Sequence, residues 1–374
     1  MCNSPHNTND LIIYHPDLRI GGAEKQIVLL IKGLLNKGYR IVLVLNWVVG
    51  PYLDELPKNS NLEIVNLEKK NYIALLFKLY ILFRKNRPAT IYTFLVGQNV
   101  IGLAIGKVAN VRKIVWGNRV SEFSRGEFGV KGELAFFFER IGCRFVDRVI
   151  SNSQEGHNDK RMRGVQVKNK SVICNGVDVE RYKEDKELRK SFRDYYQIDS
   201  KDVAFGIICR IVTWKGVTDY IVAASMLAQE YHHAKFFCAG DGDETLIAEY
   251  KDVAKKLGVK IVWLGERQDV EKILNGLDLI TVASSQGEGF SNIIGESMAV
   301  GKAIVATDVG DNAKILHSIG TIVDKNNPIA IYDAWKEHMN NRDLLFHKSS
   351  EARKKVLREY SIQSMVDLTE KAIF

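Results

Sequence analysis

Two doubly wound α/β domains are what this sequence predicts, and three observations carry the reading. A chain of 374 residues is too long for one ordinary core and suits two domains of about 150 to 190 residues each. Short apolar runs alternate with helical stripes in both halves, the pattern of parallel sheets covered by helices. The stretch 284–308, SSQGEGFSNIIGESMAVGKAIVATD, completes one such unit. It follows an apolar run at 277–283, continues as a loop, then as a helical stripe through Ile293, Ile294, Met298 and Ala299, stops at Gly301, and enters a second apolar run at 303–306. The two domains are expected to face each other across a cleft, with ligands beyond the carboxyl ends of the strands.

In the first half, strands are expected at 10–15, 40–47, 62–67, 89–94, 113–116, 146–152 and 170–174. The helix expected at 23–36 has a stripe of Ile27, Leu30, Ile31, Leu34 and Leu35 and is closed by Lys37-Gly38. Further helices are expected at 72–87, 97–109 and 133–148. The charged stretch 180–201 reads as the passage between domains. The second half adds strands at 203–209, 234–239 and 260–264, and closing helices at 329–340, 344–360 and 362–373. The expected division is 1–180, 181–355 and a last segment 356–374.

Composition narrows the classes. With 46% apolar and 26% charged residues the chain is globular rather than disordered. No run reaches the roughly 18 apolar residues of a membrane span, and the longest candidate is broken by Lys78. The opening MCNSPHNTND is polar and lacks the apolar core of a secretory signal. Five cysteines, Cys2, Cys143, Cys174, Cys209 and Cys238, are scattered without a C-x-x-C pair, which argues for a reducing cytosol, free thiols and no metal. Cys174, Cys209 and Cys238 lie in apolar runs and read as small core residues.

The net charge of +8 is unevenly shared: residues 1–175 hold 26 Lys+Arg against 14 Asp+Glu, and the remainder 27 against 31. That asymmetry points to a polyanion or a membrane surface as partner of the first half. Two helical stretches there combine bulk with cations. Residues 72–87 carry Ile, Leu, Phe and Tyr with Lys78, Arg84, Lys85 and Arg87, and 133–148 set Phe136, Phe137 and Phe138 beside Arg140, Arg144 and Arg148. Such helices suit an anionic membrane interface. The plainer reading is core helices whose basic last turn complements the helix dipole. Nucleic acid is the other polyanion, but no zinc finger, RNA-recognition signature or basic helix with heptads speaks for it.

The candidate chemistry centres on 284–308. A helix amino end after a glycine-bearing turn offers unpaired N–H groups and a favourable dipole to a phosphate. Glu288, flanked by Gly287 and Gly289, and Glu296 would repel that phosphate, so their acceptor oxygens suit the hydroxyls of a sugar or ribose. Phosphate with two polyols describes a nucleotide sugar. Either glutamate alone reads as an ordinary solvated residue. Arg210 and Lys215, near the end of an expected strand, can hold a diphosphate, the first by a fork and the second as a point charge. Two decoys are set aside. Asp241 and Asp243 form an Asp-x-Asp that makes a poor metal site on two carboxylates alone, and Gly301-Lys302 misses the phosphate-loop spacing and its Ser or Thr.

Six pieces in order resemble the retaining glycosyltransferases of family 4 (glycosyl transferases group 1), which have the two-domain GT-B fold. They are Gly21-Gly22-Ala23-Glu24, Asn175-Gly176-Val177-Asp178, Arg210 with Lys215-Gly216, Gly240-Asp241-Gly242, Glu288-Gly289-Phe290 with Glu296, and Ala306-Thr307-Asp308. The resemblance runs from about residue 10 to about 340. It implies two Rossmann-like domains, with the last helix crossing back to the first. The implied activity is sugar transfer with retention from a UDP- or GDP-linked donor, without metal or other cofactor. Glu288, Arg210 and Lys215 would be catalytic. Donor binding would use Gly21, Gly22, Arg210, Lys215, Arg267, Val270, Glu288, Gly289, Phe290, Ser291, Asn292, Ile293 and Glu296. Many relatives carry a histidine near the end of the strand at 113–116 or of its neighbour; at 113–116 Asn118 and Arg119 stand there instead and become the acceptor-side candidates. The expected acceptor is a lipid-linked saccharide in bacterial surface polysaccharide assembly (lipopolysaccharide, O-antigen or capsule), used by a cytoplasmic protein peripheral to the inner face of the plasma membrane. Two other classes stay open: a nucleotide-sugar 2-epimerase, which shares the architecture, and a basic nucleic-acid-binding protein, which leaves the glutamates without a purpose.

Overall fold

The computed structural model describes residues 10–68, 71–119 and 129–374, the side chains of 131 and 342–349 excepted. The polar opening read for a secretory signal, and Cys2 with it, lie outside the described residues. The chain divides into two units, one of residues 1–176 with 362–374 and one of 177–361. The sequence expectation put the divisions at 180 and 355.

Unit 1 runs β1 (Leu11–His15), α1 (Gly22–Asn36), β2 (Ile41–Leu45), β3 (Leu62–Asn66), α2 (Tyr72–Asn86), β4 (Thr90–Phe94), α3 (Val96–Val108), β5 (Lys113–Asn118), α4 (Gly129–Gly142), β6 (Arg148–Ser151), α5 (Gln154–Met162) and β7 (Lys170–Val172). Its strands pair in parallel in the order β3-β2-β1-β4-β5-β6-β7. β1, β2 and β4 are buried along their whole length, as strands covered on both faces must be, and this is why they read as continuous apolar runs.

Unit 2 runs α6 (Lys186–Tyr195), β8 (Val203–Ile208), α7 (Val217–Glu230), β9 (Ala234–Ala239), α8 (Glu244–Lys256), β10 (Ile261–Gly265), α9 (Val270–Gly276), β11 (Leu279–Val282), α10 (Asn292–Val300), β12 (Ala303–Thr307), α11 (Asn312–Leu316), β13 (Thr321–Val323), α12 (Pro328–Asn340) and α13 (Arg342–Glu359). The strands are again parallel, in the order β10-β9-β8-β11-β12-β13. Trp335 of α12 is fully buried against Phe205 of β8 and Phe236 of β9, and its indole N–H donates to Thr281 at 3.1 Å. Each such aromatic pair adds about 0.5–1.5 kcal/mol beyond the area it buries.

The last helix, α14 (Ile362–Ile373), packs on α1 and belongs to unit 1. Val366 fills the space beside Gly33, and the Lys37 ammonium bonds Asp367 and Glu370. The crossover that the resemblance implied is present.

Three local expectations need correction. The stretch 180–201 is not mere passage, because it contains α6. Asp185 caps that helix by accepting from Glu187 and Leu188 at 2.9 Å each, Phe192 is buried, and Arg189 and Arg193 hold Asp278 at 2.7 and 3.1 Å. The helix read at 133–148 ends at Gly142, and Arg148 opens β6. A short helix, α5, capped by Ser153, occupies a stretch whose polar sequence, QEGHNDKRM, shows no apolar stripe to betray it. The thiols differ in burial: Cys143 and Cys238 are buried, while Cys174 and Cys209 fall just past the strands and are half-buried.

Candidate active site

Doubly wound sheets offer ligands a crevice where the connections of neighbouring strands leave in opposite directions. In unit 2 that point lies between β8 and β11. Lys215 ends the single turn after β8, and Glu288 sits in the loop after β11. The Lys215 ammonium donates to Oε1 of Glu288, and Ser284 Oγ donates to the same oxygen at 2.6 Å. The other oxygen, Oε2, accepts no bond from any described residue. Glu288 is only 5% exposed. Burial pushes its carboxyl up, but the charge and hydrogen bond of Lys215 and the bond from Ser284 outweigh this and hold it below the usual 4.5. The carboxylate is therefore ionised at neutral pH, anchored through one oxygen and open for a ligand hydroxyl at the other.

The backbone around the pair is tightly specified. Gly216 has φ +68°, and a Cβ there would collide with the Ala283 carbonyl, so only glycine lets the Lys215 turn lie against the β11 loop. Gly310, at φ +60°, likewise leaves room for the Glu288 carbonyl. Thr307 Oγ1 donates to the Ser284 carbonyl at 2.6 Å, and the Ser285 N–H donates to the Trp214 carbonyl at 2.8 Å. The exposed Arg210 guanidinium lies 6.0 Å from the Trp214 ring centre, at cation–π range. The proposed diphosphate cations therefore sit on either side of Trp214 in sequence.

At α10, Ser291 is the N-cap residue but makes no side-chain cap bond. Glu296, one turn further in, is 6% exposed, so neither glutamate is the solvated surface residue it would be by default. Phe290 is buried edge-on against Tyr360, their ring centres 5.0 Å apart, which fixes the loop between Gly289 and Asn292. Ile293 is half-buried in the first turn of the helix. Arg267 bonds Asp269 through Nε and Nη2 at 2.7 and 2.6 Å, and Val270 opens α9. The Arg267 side chain is paired within its loop and also reaches Tyr196 at the end of α6.

The two decoys have structural duties. Asp243 caps α8 by accepting from the Leu246 N–H. Lys302 is buried at the amino end of β12, where burial, with the nearby charge of Arg189, lowers its pKa to about 8, and it donates to the Asn275 carbonyl at 3.0 Å.

Unit 1 has its own divergence point between β1 and β4. There His15, the last residue of β1, places Nε2 2.8 Å from Oε1 of Glu24, while its buried Nδ1 has no partner among the described residues and its ring meets Phe94 edge-on. Gly21 and Gly22 open α1 beside that glutamate. The acceptor-side candidates each contact other residues of unit 1. Asn118 donates to the Gly156 carbonyl at 2.8 Å, and Arg119 donates to Asn175 at 2.9 Å while lying over Phe94. Gln26 of α1 reaches the next residue of that turn, exchanging two bonds with the Gly176 backbone at 2.8 and 2.9 Å. Ser284, Trp214 and His15 escaped sequence reasoning; the signal available for Ser284 and His15 was a polar residue directly after, or closing, an apolar run.

Two parallel doubly wound units with the final helix returned to the first define the GT-B class. Residues 202–341 match the family described as Glycosyl transferases group 1, and residues 20–181 match Glycosyltransferase Family 4. Over 174 residues the chain is 31% identical to an uncharacterised glycosyltransferase of Methanocaldococcus jannaschii, covering 44% of this chain and 42% of that one. Over 175 residues it is 29% identical to N,N'-diacetylbacillosaminyl-diphospho-undecaprenol alpha-1,3-N-acetylgalactosaminyltransferase of Campylobacter jejuni, covering 45% and 44%. The matches thus span less than half the length of these curated relatives. The crystal structure of Anabaena HepE in complex with UDP superposes with a TM-score of 0.84 at 18% identity, over 97% of this chain and 99% of that one. The chain is a GT-B protein related to the group 1 and family 4 glycosyltransferases.

Proposed function

We propose that this protein transfers a sugar, with retention of configuration, from a nucleoside diphosphate sugar to an acceptor hydroxyl. The observation that carries the reading is Glu288: a buried, ionised carboxylate whose Oε1 is held by Lys215 and Ser284 while Oε2 is left for a ligand. Lys215, with Arg210, neutralises charge growing on the leaving diphosphate, and the amino end of α10 adds N–H groups to the same task. Glu288 orients the transferred sugar through its hydroxyls, and Glu296 holds the ribose. A carboxylate paired with a lysine is a poor nucleophile, which favours acceptor attack on the face the diphosphate leaves, with the departing phosphate taking the acceptor proton, over a double displacement.

Relatives suggest the substrates. Anabaena HepE is described with UDP and with UDP-glucose, and the Campylobacter jejuni relative is named for a diphospho-undecaprenol-linked sugar. The donor is then UDP- or GDP-linked, with these relatives favouring UDP, and the acceptor a lipid-linked saccharide of surface polysaccharide assembly. A thermal-shift panel of nucleoside diphosphates tests the donor, since a ligand that binds only the folded state raises its stability by mass action. NMR of the product's anomeric centre then tests retention. No shift with any diphosphate sinks the proposal, and an epimerised donor formed without acceptor replaces transfer by epimerisation.

A further inference from the structure

We infer that Trp214 is a positioning residue for the donor diphosphate: its indole face holds the Arg210 guanidinium ready, while its ring edge rests against the turn that presents Glu288. Trp214 stands between Arg210 and Lys215, yet it belongs to none of the six motif pieces. The Arg210 guanidinium lies over its ring, 6.0 Å from the centre. At the ring edge, a Cβ built on Gly287 would come 3.2 Å from the indole Nε1, so the indole abuts the residue directly before Glu288. The Trp214 carbonyl also accepts the Ser285 N–H at 2.8 Å, which ties the same residue to the loop after β11 through its backbone. One half-buried side chain thus touches both loops of the unit 2 crevice.

What matters about the ring contact is what it leaves free. The exposed Arg210 has no hydrogen bond and no ion pair with any described residue. Other arginines of unit 2 are held differently. Arg267 gives two N–H groups to Asp269, and Arg189 and Arg193 are bonded to Asp278. Arg181 lies over the Tyr182 ring but is also bonded to Glu271. A carboxylate that held Arg210 in this way would occupy its fork and cancel its charge. A π-face attracts the cation across the ring and leaves the N–H donors, which lie in the guanidinium plane, unengaged.

A diphosphate gains from that arrangement. An unrestrained arginine loses rotamer freedom when it clasps a ligand, and the loss weakens binding. An arginine already held on an indole has given up part of that freedom beforehand. Lys215 needs no such support, because Glu288 fixes its ammonium. The two cations of the crevice are therefore placed by two devices, a charge pair and an aromatic face, and the second leaves a whole fork for phosphate oxygens. This inference rests on the reading that a nucleoside diphosphate binds in the crevice, and its test separates the two.

The test is a double-mutant cycle on the affinity of the full chain for UDP and for GDP, measured by calorimetric titration. Trp214→Leu is expected to weaken the preferred diphosphate about 5- to 30-fold, the span of a cation–π contact from partly to fully desolvated. Trp214→Phe, which restores a ring, stays within about threefold of wild type. Arg210→Ala weakens binding at least as much as Trp214→Leu, and adding Trp214→Leu to it lowers affinity by no more than about twofold, because the indole acts through the guanidinium. A ring that only packs against Gly287 would keep its whole effect without Arg210. Losses that multiply in the double variant therefore overturn the inference, as does wild-type affinity in Trp214→Leu. Trp214→Met, with bulk but no ring, carries the same cycle should circular dichroism show the leucine variant unfolded. A wild type that binds neither diphosphate strikes the functional proposal and this inference together. Affinity lost in Lys215→Ala beside multiplying losses in the cycle strikes this inference alone.

Discussion

Where β8 and β11 part in unit 2, a lysine from one loop holds a glutamate from another ionised, with a serine on the same oxygen. Where β1 and β4 part in unit 1, the strand-end His15 meets Glu24 from the first turn of α1, and Phe94 packs against the ring. The two sheets share one strand order up to an extra edge strand, so the backbone supplies the same kind of crevice twice. What differs is the loop. In unit 2, left-handed glycines at 216 and 310 bring two loops against each other and bury a charge pair. In unit 1, one turn-and-helix segment, with its two glycines, faces a histidine. Topology decides where polar groups gather, and the loops decide what chemistry they can do.

Breaking the pair in unit 2 should have the largest effect. Lys215→Ala is expected to lower transfer about 10²–10³-fold, the size of losing one donor that stabilises transition-state charge, with the fold intact by circular dichroism. Wild-type turnover in that variant would mean the unit 2 crevice is not where the diphosphate leaves. Next comes Glu288→Gln, which keeps shape but removes charge and should destabilise by about 1–3 kcal/mol at neutral pH. The folded-state carboxyl lies below its usual 4.5, so this contribution is complete above that value and fades as pH falls through the lowered one. Urea midpoints of wild type and variant should therefore converge in acid; a gap constant with pH would refute the ionised pair. The smallest change is expected in unit 1. Glu24→Gln should cost transfer less than about tenfold, roughly one hydrogen bond's worth, and leave nucleoside diphosphate binding untouched. A lost nucleotide shift there would erase the distinction between the two crevices.

Much of the fold could be read before any coordinates, and for a physical reason. Strands covered on both faces are predominantly apolar, so β1, β2, β4, β8 and β9 announce themselves as runs. The elements missed are those whose stability comes from partners distant in sequence. α6 is charged along its length and depends on Asp278 and the packing of Phe192, neither visible from within it. The same holds at the site. Glu288 and Glu296 share a local motif and could be found together. Arg119 could be named as an acceptor-side candidate, but its partners Asn175 and Phe94 are distant in sequence and only the structure brings them to it.

The sequence by itself determined the parallel doubly wound class, the glycine stops and the identity of the cationic and acidic candidates, because runs, caps and turns are set by forces acting over a few residues. Only the tertiary structure decided that Lys215 and Glu288, 73 positions apart, form one pair, and that α2 and α4 each leave apolar side chains exposed. Both depend on how strands order themselves in a sheet. That ordering comes from burying whole surfaces against one another, and no short stretch of sequence encodes it.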